Sequence, residues 1–148
     1  MPMREAALEK SISALLVGDF AEDRFLLKDI FQKCGWHLFE ARDRCGALAS
    51  LHNNPVSVVI AESQLDRWSW RKLLHDLRSI ATPPQLVVTS RTADDHLWAE
   101  VLNVGGFDVL ARPLDRTEVE RVVASASRHF EPRKSCLASS LAGQLGAA

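Results

Sequence analysis

One stretch constrains this chain more than any other: Ser57-Val58-Val59-Ile60-Ala61-Glu62, followed at once by the polar loop Ser63-Gln64-Leu65-Asp66-Arg67. Its apolar residues run without interruption, are too few for a helix and show no alternation. They read as a strand buried on both faces of a sheet. Such a strand needs covering layers on either side, which selects the α/β architectures. A carboxylate at its C-terminal end sits in the crevice where open α/β sheets carry their chemistry. Glu62 is therefore the first candidate functional residue.

Runs of the same kind recur along the chain. Ala14-Leu15-Leu16-Val17 is closed by Gly18 and Asp19, and Trp36 to Glu40 alternates like a strand. Gln85 to Thr89 ends in the hydroxyls of Thr89 and Ser90, and Phe107 to Ala111 leads into Arg112-Pro113-Leu114-Asp115. Between these runs, apolar residues recur at helical spacing. Leu26, Leu27, Ile30, Phe31 and Cys34 form one such stripe, with Gly35 as its C-cap and Glu22-Asp23 at the end that a helix dipole prefers for acids. Ala47, Leu48 and Leu51 form a second, stopped by Asn53-Asn54-Pro55. Trp70, Leu73, Leu74, Leu77 and Ile80 form a third, broken by Thr82-Pro83-Pro84. Leu97, Val101 and Leu102 form a fourth, ended by Gly105-Gly106, and Val119, Val122, Val123, Ala126 and Phe130 a fifth. Five strands alternating with five helices through short connections predict a single parallel sheet covered on both faces. Residues 1–12 read as an N-terminal extension, 13–130 as the domain and 131–148 as a loose tail of small and polar residues.

Composition narrows function by exclusion. A chain of 148 residues, 47% hydrophobic and 25% charged, is enough for one domain with a real core. A formal net charge of -1 offers no general attraction to nucleic acid or to an anionic membrane. No apolar run approaches the roughly 18 residues of a membrane span, and the N-terminus lacks a signal-peptide layout, so a cytoplasmic protein is expected. Cys34, Cys45 and Cys136 are odd in number and lack metal-site spacing, as reduced thiols would be. His37, His52, His75, His96 and His129 fall away from the strand ends. No Gly-rich phosphate loop follows any strand, so an enzyme is not expected.

In order and spacing these features resemble the receiver domain of bacterial response regulators, a CheY-like member of the flavodoxin-like α/β folds. The resemblance covers residues 13–130 and rests on four motifs in register. Leu15-Leu16-Val17-Gly18-Asp19 matches the first strand with its acidic pair, and Ser57 to Glu62 the strand that ends at the phosphoacceptor. Val87-Val88-Thr89-Ser90 matches the strand that ends in a hydroxyl, and Gly105-Gly106-Phe107-Asp108 through Arg112-Pro113 the Gly-Ala-Asp-Asp-Tyr-Leu-x-Lys-Pro segment. The resemblance implies a five-stranded parallel sheet in the order 2-1-3-4-5. It also implies a two-component or phosphorelay signalling module whose acids hold Mg²⁺.

The departures decide what the resemblance implies for function. The first acid of the pair is replaced by Gly18, which leaves Asp19, and the phosphoacceptor position holds Glu62. The phosphoryl-contacting lysine is Arg112, the switch aromatic is Val109, and Thr89 alone is retained. Mg²⁺ demands near-octahedral oxygen ligands at short distance. A set reduced to Asp19, Glu62 and the carbonyl of Gln64 would hold it weakly, and no other cofactor is implied. A carboxylate displaced by one C–C bond is also out of line for acyl-phosphate formation.

Two static roles for Glu62 remain open. It could be a fixed charge that imitates a phosphorylated acceptor, or a partner of Arg112 across adjacent strand ends, since Arg binds carboxylate bidentately. The expected protein is thus a stand-alone, degenerate receiver-like module that works through protein contacts. Its partner would be a sensor kinase, an output protein, another receiver, or a second copy met through the last strand–helix face. Trp68, Trp98 and Arg116 are the interface candidates, whereas Trp70 fits the core stripe of its helix. A working Mg²⁺-dependent phosphoacceptor and a small ligand-binding or enzymatic protein are the alternatives.

Overall fold

The computed structural model describes residues 12–63, 69–80, 82–91 and 94–130. The expectations for the N-terminal extension, the tail, Gln64, Trp68 and Cys136 fall on or mostly on residues outside these limits. The elements follow in the order β1 (Ser13–Val17), α1 (Arg24–Cys34), β2 (His37–Ala41), α2 (Arg44–Asn53) and β3 (Val58–Glu62). Then come α3 (Trp70–Arg78), β4 (Gln85–Ser90), α4 (Asp95–Asn103) and β5 (Asp108–Ala111). Residues 116–130 form the closing helix, α5.

All four strand pairings are parallel, and the sheet order is β2-β1-β3-β4-β5. The central position belongs to β3, the opening run of the sequence, whose first four residues are fully buried. Two separate apolar clusters explain why the run does not alternate. Ala14, Leu16, Val58, Ile60, Val87 and Leu110 point to one face, where they meet α1 and α5 through Leu27, Ile30, Val119 and Val123. Leu15, Val17, Val59, Ala61, Val88 and Val109 point to the other, against α2, α3 and α4 through Ala47, Trp70, Leu73 and Val101. Each fully buried Val, Leu or Ile contributes about 1.5–3 kcal/mol relative to exposure, so both faces are needed to hold the sheet.

Local chemistry sets the boundaries. Gly35 ends α1 in the left-handed region at φ 75°, as the C-cap expectation requires. Asp43, Ser69 and Asp94 cap α2, α3 and α4 by accepting backbone N–H bonds from Gly46, Lys72 and Leu97. Trp36 lies one residue before β2 and packs edge-on against Phe31, with ring centroids 5.4 Å apart. Asp23 departs from the expected role. It occupies the N-cap position of α1 but makes no side-chain cap bond. Its carboxylate is used elsewhere.

Candidate functional site

The parallel sheet brings the C-terminal ends of β1, β3, β4 and β5 to one edge. There Asp19, Glu62, Ser63, Thr89, Ser90 and Arg112 line a cleft of about 430 Å³. Glu62 is engaged at both oxygens. Oε1 accepts the backbone N–H of Asp19 at 2.9 Å, and Oε2 accepts Arg112 Nη1 at 2.7 Å. The pair with Arg112 therefore forms, but not across adjacent strands as expected, because β4 lies between β3 and β5. Two strand spacings are about 9–10 Å, which the combined reach of a glutamate and an arginine closes.

Arg112 is held on a second edge as well. Its Nε donates to Asp23 Oδ2 at 2.8 Å, and its guanidinium lies over the Phe20 ring at 5.4 Å from the centroid. The side chains of Arg112, Asp23 and Glu62 are only 9%, 10% and 17% exposed, so this is a largely desolvated triad. Burial alone would lower the Arg112 pKa. Hydrogen bonds and charges from Glu62 and Asp23 outweigh it, so the guanidinium pKa is raised and the group stays charged. Asp23 is a site residue that the sequence reading missed. The available signal was the Lys-to-Arg departure, since a guanidinium presents two donor edges and needs two acceptors.

Gly18 adopts φ 126°, a conformation that favours glycine, and its N–H donates to the carbonyl of Ala41 at 3.0 Å. A Cβ at this position would stand 2.5 Å from Glu62 Oε1. Thr89 is paired in register with Glu62 and is fully buried. Its Oγ1 nevertheless has no hydrogen-bond partner among the described residues. Val109 is packed with Val101 and Val88 under α4.

The interface candidates separate from this cleft. Trp98 is 49% exposed on α4, and its indole N–H donates to Asp108 Oδ1 at 3.2 Å. Arg116, at the start of α5, pairs with Asp29 of α1. Trp70 is in the core at 3% exposure.

No family model matches the sequence, and no curated protein matches it. Solved structures do match the fold. The signal receiver domain of an HD domain-containing protein from Pseudomonas fluorescens Pf-5 is 23% identical with a TM-score of 0.71, over 82% of this chain and 98% of that one. A two-component response regulator from Clostridium difficile is 20% identical with a TM-score of 0.70, over 79% and 96%. Vibrio cholerae chemotaxis protein CheY4 is 16% identical with a TM-score of 0.68, over 78% and 98%. The class is thereby defined: this chain has the receiver, CheY-like fold, five parallel strands in the order 2-1-3-4-5 with helices on both faces.

Proposed function

We propose that this chain is a receiver-like signalling module of a two-component or phosphorelay system that is not switched by phosphorylation at Glu62. It acts through protein contacts. One observation carries the reading. Both oxygens of Glu62 are engaged within the protein, by the Asp19 N–H and by Arg112, while the Thr89 hydroxyl has no partner among the described residues. A carboxylate that imitated a phosphoryl group would engage that hydroxyl, which is retained from the receiver pattern. Glu62 therefore serves as the anchor of an internal ion pair and not as an imitation of the phosphorylated state.

The contact surface best supported lies around α4, β5 and α5. Trp98 is exposed there beside a depression of about 530 Å³ lined by Asp94, Asp95, Asp108, Glu118 and Arg121. Aromatic anchors ringed by charge suit a protein interface. Among the described residues no helix is long and apolar enough to cross a membrane. Incubation with acetyl phosphate and Mg²⁺, read by intact mass, tests the reading. No added phosphoryl group is expected, and a stable adduct lost on Glu62→Gln overturns it.

A further inference from the structure

The receiver pattern implies a divalent cation at this end of the sheet, and the residues present do not fit one. Glu62, the carboxylate that would carry it, already shares Oε2 with Arg112 at 2.7 Å. Among the described residues no group of three His, Cys, Asp or Glu side chains is arranged to hold a metal ion. The two acids that come together, Glu62 and Asp23, converge on a guanidinium.

We propose that Arg112 is the resident cation of this site in place of a divalent metal, and that a side chain at position 18 would displace the Glu62 carboxylate that holds it. The inference rests on the reading of the site as non-phosphorylated, and it goes further by making the departures one coordinated set. Lengthening the acceptor to Glu62 brings Oε1 to 2.5 Å from where a Cβ of residue 18 would be. A side chain at position 18 would therefore push the Glu62 carboxylate off the Asp19 N–H and Arg112. The charge balance that a metal would supply then falls to Arg112. A guanidinium does this where a lysine would not, because Nη1 reaches Glu62 while Nε reaches Asp23 and the plane stacks on Phe20. Asp23 belongs to the same set, as the second anion that fixes the guanidinium.

Two experiments on the full chain test this. In calorimetric titration with MnCl₂ the wild type should give no binding heat, and the ion should leave its melting temperature unchanged. Binding by the wild type overturns the proposal. In the second experiment Gly18→Ala is made in the wild type and in Glu62→Ala. Backbone strain is common to both, so the difference isolates the contact. The melting temperature should fall further in the wild type, where Glu62 must give up its bonds to Asp19 and Arg112, and equal falls overturn that displacement. A wild type that binds Mn²⁺ yet accepts no phosphoryl group would remove this inference and leave the functional reading standing. A phosphorylated wild type would remove the functional reading first.

Discussion

Arg112 and Asp23 are 89 positions apart and meet at 2.8 Å, Nε to Oδ2, with both side chains about nine-tenths buried. The bond ties the residue after β5 to the residue that opens α1. Together with the Glu62 contact it joins three segments whose strands and helices pack on different parts of the sheet. A desolvated cation between two carboxylates is costly to assemble, and costlier still to leave half-assembled.

Arg112→Met therefore removes the charge that Glu62 and Asp23 share and leaves two largely buried carboxylates without a cation. A loss of about 3–5 kcal/mol in unfolding free energy is expected, measured by urea denaturation. Arg112→Lys keeps the charge but loses the two-edged grip and the stacking on Phe20. Its loss should be smaller, about 1–3 kcal/mol. Equal stability of Arg112→Lys and wild type would show that the fork geometry does not matter.

A second long-range pair holds the opposite face. Arg44 donates to Asp76 through Nε at 2.7 Å and Nη2 at 3.0 Å, joining α2 to α3, and Asp76 is buried. Asp76 also lies at the end of α3 where the Ser79 hydroxyl bonds its carbonyl at 2.7 Å. Asp76→Asn retains the shape but only one good acceptor, so a loss of about 1–2 kcal/mol is expected in the same denaturation assay. Arg44→Ala in the Asp76→Asn background should then cost little more.

Thiol reactivity gives a prediction that follows from packing alone. Cys34 is half-buried at the end of α1, and Cys45 is exposed at the start of α2. Burial, with the negative charge of Glu120 behind it, pushes the Cys34 thiol pKa up. Alkylation needs the thiolate, so raising the pH through the usual thiol range should activate Cys34 late. Peptide mapping after iodoacetamide treatment at pH 8 should find Cys45 modified faster than Cys34. The reverse order would mean that the end of α1 opens readily.

The fold was readable because its signals are local. Short apolar runs, helical stripes and capping residues each occupy a few consecutive positions, and β3 needs burial on both faces to make sense of Val58-Val59-Ile60-Ala61. The partnership of Glu62 with Arg112 was readable from charge, although β4 was found to intervene between their strands. Asp23 was not readable. An acid before a helix satisfies the local dipole rule, and nothing in periodicity distinguishes that role from a bond to a residue far along the chain. Gly18 was read as a missing acid. Only the folded chain shows that residue 18 takes φ 126° and that a Cβ there would press on Glu62 Oε1.

Thr89 decides between a switch and a relic. Its hydroxyl is fully buried, lines the cleft beside Glu62, and has no hydrogen-bond partner among the described residues. Burying an unsatisfied hydroxyl costs about 1–3 kcal/mol by protein mutational measures, and Val has nearly the same shape without that penalty. Val is also at least as comfortable in a strand interior, where β-branched side chains pack well. Thr89→Val should therefore leave stability unchanged or raise it by about 0.5–1.5 kcal/mol, and should leave partner binding intact. A loss exceeding about 1 kcal/mol would show that the hydroxyl is bonded in solution. Loss of partner binding with stability intact would restore Thr89 as a working part of the surface that signals.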